Sequence, residues 1–204
     1  MEKLRYNYGN YEIPIDVHGG ICVDVGCNNG SFLLNNKKIF KAIHAYEPNL
    51  DLYALLVNEY KHDEHISIFN KAIGKNDGDI LSLVKYTFNN DDGSYGIYDE
   101  SRSNYWNEDN KVCHVESISL ETILKNIGGK INYLKMDCEC SEYNGLMNKN
   151  LEFIDYIGIE LHGQLGLEKY NNLYNFILNT HTTNDVVNWN DNHNQEILFK
   201  NKKL

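Results

Sequence analysis

The chain has no dense basic face, no long apolar run, no CxxC pair and no complete phosphate-binding glycine motif, and each absence narrows its function. Lys and Arg number 19 against 29 Asp and Glu, a net charge of -10. Such a surface repels phosphate backbones, so general nucleic-acid binding is not expected. The Lys200 to Lys203 tail reads as solvated. No run is long enough to span a membrane, and the N-terminal M-E-K-L-R-Y-N-Y lacks the apolar core of a secretory leader. A cytoplasmic, soluble protein is the expectation. The cysteines (Cys22, Cys27, Cys113, Cys138 and Cys140) are odd in number and lack zinc-type spacing, which points to a reducing compartment. Cys138-Glu139-Cys140 offers two thiols without a partner pair, so it reads as buried or loop thiols and no metal ligand is assigned.

What is present is an alternation. At 204 residues and 42% hydrophobic, the chain fits one domain with a core that needs neither disulfide nor metal. Ile21 to Val25 is a continuous apolar run, as a strand covered on both faces would be. Ala42 to Tyr46, Ile66 to Phe69, Ile131 to Met136 and Phe153 to Leu161 read as further strands. Helical patterns stand between them: Ser31 to Lys38; Leu50, Tyr53, Ala54 and Val57 behind an Asn49 cap; and Leu120, Ile123, Leu124 and Ile127 between Ser119 and Gly128-Gly129. Tyr143, Leu146 and Met147 mark another helix, and Leu167, Tyr170, Tyr174 and Ile177 one more. Asp185 to Trp189 and Glu196 to Lys200 flank an Asn-rich turn and read as a closing hairpin. The expected fold is a three-layer α/β domain with a mostly parallel sheet and a C-terminal antiparallel hairpin. Leu81 to Glu116 breaks the rhythm with a long polar and aromatic segment (Gly93, Ser94, Tyr95, Tyr98, Tyr105, Trp106), read as part strand and part cover over a site.

The chemistry concentrates at predicted strand ends. V-D-V-G-C-N-N-G-S-F (Val23 to Phe32) is a strand, a glycine turn and a helix start. Gly26 and Gly30 are present, but Asn28 stands where a dinucleotide fingerprint has its middle glycine. Asp24, two residues before the first glycine, would repel a pyrophosphate and suits the cationic end of S-adenosylmethionine (SAM). Glu47, at the end of the next strand, is placed to accept hydrogen bonds from ribose hydroxyls, each worth about 1.5–3 kcal/mol when charge-assisted.

These segments resemble the FkbM-type family of class I SAM-dependent methyltransferases. The matching pieces are V-D-V-G-C-N-N-G-S-F, Y-E-P-N (Tyr46 to Asn49), N-K-A-I-G (Asn70 to Gly74), S-L-E-T-I-L (Ser119 to Leu124), Y-L-K-M-D-C-E-C-S-E (Tyr133 to Glu142) and I-E-L-H (Ile159 to His162), in family order. The resemblance implies a Rossmann-like methyltransferase domain over residues 1–204, with 1–20 as an N-terminal extension and 81–116 as an insert or lid. It implies SAM as cofactor, held by Asp24, Gly26, Cys27, Asn28, Gly30, Ser31, Glu47, Pro48 and Ala72. Two departures stand out: Cys27 replaces a usual alanine, and Cys140 replaces a usual glycine. If position 140 requires a positive φ, a cysteine there costs about 1–2 kcal/mol.

The same resemblance implies O-methylation of a hydroxyl, often on a sugar or glycan precursor. An alcohol must lose a proton as it attacks, and Asp137, Glu139 and His162 are the residues placed for that step. His162 suits the base role because imidazole titrates near neutrality; a structural histidine is the alternative. Asp137 and Glu139 either orient the acceptor or share a divalent metal with Glu160. For Glu139 and Glu142 the alternative is a helix N-terminus that favours carboxylates. Two other functions stay open: an NAD-dependent oxidoreductase, against which the missing middle glycine counts, and a degenerate methyltransferase fold serving as a binding module.

Overall fold

The computed structural model describes residues 3–5, 11–85, 95–98, 111–185 and 194–204. Its strands are β1 (Lys3–Arg5), β2 (Glu12–Pro14), β3 (Ile21–Val25), β4 (Ala42–Tyr46), β5 (Ile66–Phe69), β6 (Ala72–Ile73), β7 (Ile80–Lys85), β8 (Tyr95–Ile97), β9 (Lys111–Ile118), β10 (Ile131–Met136), β11 (Ile154–Leu161), β12 (His181–Thr182) and β13 (Gln195–Asn201). The helices are α1 (Ser31–Asn36), α2 (Leu50–Glu59), α3 (Leu120–Asn126), α4 (Glu142–Leu146) and α5 (Leu167–Leu178).

A seven-stranded sheet runs in the order β12-β13-β11-β10-β3-β4-β5. From β11 to β5 the neighbours are parallel, while β13 joins β11 antiparallel and β12 joins β13 antiparallel. Parallel strands are covered on both faces, and the side-chain alternation shows the two covers. Val23, Val25, Leu134, Met136 and Ile157 enter one core cluster, which α3, α4 and α5 close with Ile123, Leu146 and Leu173. Cys22, Tyr133 and Tyr156 enter the other, closed by Leu33 of α1 and Leu56 of α2. This is the three-layer α/β fold expected from the sequence.

The caps behave as read. Asn49 accepts the N–H groups of Asp51 and Leu52, and Ser119 accepts that of Thr122. The stripe on α2 does not. Leu50 and Val57 are 58% and 40% exposed, whereas Leu56 is 2% exposed, with Tyr60 buried just beyond the helix. The helix turns Leu56 inward onto Gly30, where a Cβ would lie 2.6 Å from the Leu56 Cδ2. The expected C-terminal antiparallel pairing is present. β13 pairs with β12 at His181–Thr182, and most of the expected partner, 186–189, lies outside the described residues.

The N-terminal segment is built into the core through Tyr11, Ile13 and Val17. Tyr133 donates its hydroxyl to the Glu12 carbonyl (3.2 Å), and Tyr156 donates to Asp16. Within the expected insert, β7, β8 and β9 join β6 in a second sheet of four strands, order β6-β9-β7-β8. Gly93, Ser94, Tyr105 and Trp106 of the expected cover lie outside the described residues.

The observed face of α2 sets a stability test. Leu56→Ala is expected to lower the unfolding free energy by about 2–4 kcal/mol, and Val57→Ala to change it by no more than about 0.5 kcal/mol. Denaturant melts would check both; a larger loss at Val57 would return the helix to the other face.

Candidate active site

The chain leaves β3 toward β4 and later returns on the other side as β10, so β3 and β10 flank a switch point where open α/β sheets bind ligands. The register aligns Val25 with both Tyr46 and Met136, and Met136 with Ile159. The residues that follow, Gly26, Glu47 and Asp137, therefore emerge on one rim with Glu160. A cavity of about 310 Å³ opens there, within the range of small-molecule sites. Apolar side chains of Tyr46, Pro48, Leu52, Ala72 and Ile73 line it together with the acids Glu47, Asp137, Glu139 and Glu160.

The rim is closely built. Gly26 has φ 76°, and a Cβ on it would lie 1.8 Å from the Asp137 carbonyl oxygen. Only glycine lets the two strand ends approach so closely. Gly26 and Cys27 both donate backbone N–H groups to the Tyr46 carbonyl, at 3.0 and 3.3 Å. Glu47, 3% exposed, accepts from the N–H of Asn28 (2.7 Å) and of Asn49 (2.8 Å), and so staples the β3–α1 turn to the start of α2. Burial pushes its carboxyl up to about 7, against the pull of those two bonds.

Under the turn lies Lys135, 4% exposed in mid-sheet. Its Nζ donates to the Gly26 carbonyl at 2.6 Å and sits 3.1 Å from Asp24 Oδ1 and 3.9 Å from Asp137 Oδ2. Burial works against its charge, but Asp24 and then Asp137 outweigh it and hold the lysine protonated. Burial raises the Asp24 carboxyl, and Lys135 opposes the rise.

At the other end of the rim His162, 1% exposed, stands behind the acids. Its Nδ1 lies 2.9 Å from Glu142 Oε1, and its Nε2 lies 3.3 Å from Glu139 Oε2 and 3.5 Å from Glu160 Oε2. Burial disfavours the charged ring, yet Glu142 and Glu139 outweigh burial and raise its pKa well above the ordinary value. Glu160 is pushed to about 8 by burial and then by Asp137, whose own carboxyl Lys135 holds low against burial.

Residues 24–195 match the Methyltransferase FkbM domain family. The chain belongs to that family. No curated protein matches it. Among solved structures it is similar to methyltransferase FkbM from Methylobacillus flagellatus KT (15% identity, TM-score 0.54), covering 95% of this chain and 49% of that one. The chain therefore spans about half of that relative's length. It is also similar to a Streptococcus mutans protein assigned as a methyltransferase and solved in complex with S-adenosylhomocysteine (SAH), at 9% identity and TM-score 0.50, covering 90% of this chain and 89% of that one.

Within the FkbM frame, the expected residues divide. Gly26, Asn28, Glu47, Pro48, Ala72, Asp137 and Glu139 line the cavity. Asp24 does not: it is fully buried and faces Lys135 rather than a ligand. Cys27 is packed in the core, Gly30 lies under Leu56, and Ser31 bonds to Asn29 Oδ1. These residues shape the turn and do not reach the cavity. His162 also stands outside the lining. Lys135 went unassigned, although a lysine inside the apolar run Ile131 to Met136 was a readable sign of a buried partner. Tyr95 and Ile97 of β8, and Asn194, join the lining from elements whose placement no local pattern gives.

Strain gathers at this rim. Asn28, Glu139 and Cys140 all have positive φ, 47°, 51° and 72°. The departure at Cys140 therefore does fall on a position that favours glycine, at about 1–2 kcal/mol, while its buried thiol contributes packing in return. Cys140→Ala keeps the strain and loses the sulfur, and Cys140→Gly relieves the strain. Calorimetric melts should rank Gly above Ala by about 1 kcal/mol; the reverse order would remove backbone strain as the governing factor.

Glu47 supplies a pH test. Its folded pKa lies above the usual 4.5, so the stability it contributes is present below 4.5 and lost as pH rises through about 7. Between pH 4.5 and 8, wild type should lose on the order of 3 kcal/mol relative to Glu47→Gln. Parallel pH slopes for the two proteins would contradict the shift.

Proposed function

We propose that the protein transfers a methyl group from SAM to a hydroxyl of a small acceptor, with a sugar or glycan precursor as the acceptor class. The observation that carries this reading is the Glu47 carboxylate, held by two backbone N–H bonds on the wall of a cavity at the switch point. Each of its oxygens keeps a lone pair for a ribose hydroxyl. Gly26 and Asn28 would border the methionine end, and Pro48, Ala72 and Ile73 would form the adenine slot. Family membership and the SAH complex of the Streptococcus mutans neighbour support the cofactor. The acid-rich rim suits a sulfonium.

The acceptor oxygen attacks the methyl carbon in line with sulfur. The C–O bond forms as the C–S bond breaks, its electron pair goes to sulfur to give SAH, and the hydroxyl proton leaves to a base. Alignment supplies most of the acceleration, and a base about 10²–10⁴-fold. Asp137, Glu139 and Glu160 border the cavity and orient the acceptor; His162 reaches it only through the carboxylates it touches. Tyr95 offers a ring face and a polar tip of the kind that packs on sugars.

Incubation with methyl-labelled SAM and a panel of sugars is expected to yield an alkali-stable methyl ether. SAH binding without transfer to any hydroxyl acceptor would favour the binding-module reading. Glu47→Ala should weaken SAH about 100-fold in calorimetry, the loss of one or two charge-assisted bonds. Unchanged affinity would remove the ribose assignment.

A further inference from the structure

At the acceptor end of the cavity, Asp137, Glu160 and His162 each present one donor atom, and these atoms all lie within 4.8 Å of one another. The residues leave adjacent parallel strands, β10 and β11, so the sheet itself fixes their spacing. Asp137 and Glu160 border the cavity, and His162 closes the site from behind.

The second observation is His162. Its ring is 1% exposed, and neither ring nitrogen completes a hydrogen bond, although Nε2 faces Glu139 and Glu160. On the far side, Nδ1 lies 2.9 Å from Glu142, whose side chain is fully buried. With a cation in place of the Nε2 proton, a carboxylate behind Nδ1 would keep the remaining proton there and turn the Nε2 lone pair forward, which is how metal-bound histidines are oriented. Charge points the same way. Asp137, Glu139, Glu142 and Glu160 gather around one ring, and the lysine beside them, Lys135, is divided among Asp24, the Gly26 carbonyl and, at 3.9 Å, Asp137. Carboxylates gathered this closely and partly withdrawn from water are stabilised when a cation neutralises them.

We propose that Asp137, Glu160 and His162 form a divalent-cation site of the Mg²⁺ or Mn²⁺ class. One imidazole nitrogen and two carboxylate oxygens suit hard to borderline cations that favour octahedral coordination. Three protein donors leave positions on the cavity side for water or an acceptor hydroxyl. The site's role toward that hydroxyl, holding it and lowering its pKa, rests on the methyltransferase reading; binding of the ion does not. His162 is then a ligand oriented by Glu142.

The test is a Mn²⁺ titration of the chelator-treated full chain, with free Mn²⁺ read by electron paramagnetic resonance. One ion per chain, displaced by Mg²⁺, is expected. Glu160→Gln and Asp137→Asn should each weaken it by at least about tenfold, while Glu152→Gln on the surface leaves it unchanged. Absence of stoichiometric binding to wild type, or affinity unaltered in both variants, would overturn the site. Circular dichroism verifies the variants' fold, and should one unfold, the wild-type titration and the other variant decide. SAH titrated into the same chelated samples separates the two ideas. SAH binding without Mn²⁺ binding overturns the cation site alone. Mn²⁺ binding that depends on Glu160, without SAH binding, supports the site and counts against the cofactor assignment.

Discussion

Lys135 is the charge on which the rim depends. It stands inside a parallel sheet, where an unpaired ammonium would be very costly, and the local chain is arranged to satisfy it. It donates to the Gly26 carbonyl and faces Asp24 on the neighbouring β3, with Asp137 nearby. Three consequences follow. The glycine turn is anchored from beneath, Asp24 is withdrawn from the cavity, and the ends of β3 and β10 are drawn together until only Gly26 fits. Removing one partner would strand the other charge, at about 3–5 kcal/mol. The conformation of the turn thus depends on a pair that touches no ligand.

Above that anchor the cavity has two ends of different character. Around Glu47 one carboxylate held by backbone N–H groups stands among the apolar walls of Tyr46, Pro48, Leu52 and Ala72, which suits a nucleoside. Around His162 the carboxylates outnumber the cations, and Glu139 and Cys140 hold left-handed backbone near the acids. Strain and uncompensated charge in one place are what a site under functional constraint is expected to keep. Among the described residues, the other non-glycine positions with positive φ are Asn28, at 47°, and Asn148, at 62°.

Much of this was legible in the sequence, for identifiable reasons. Continuous apolar runs gave the parallel strands, and Asn49 and Ser119 gave helix starts because their side chains bond to the backbone within the same turn. Glu47 and Asp137 were readable because strand ends in such sheets share one rim. Asp24 was misplaced because its partner is 111 residues away, and no local pattern reports a buried ion pair across two strands. The α2 stripe was misread because Leu56 and Tyr60 answer to the turn at Gly30, a tertiary constraint. Tyr95 and Asn194 reach the cavity by long-range folding that periodicity does not encode.

The central claim is that the switch-point cavity holds SAM. Calorimetric titration of the wild-type chain with SAH, beside NADH as control, tests it most directly. The account predicts one SAH per chain and no NADH. Binding of NADH in place of SAH, or of neither, would contradict it.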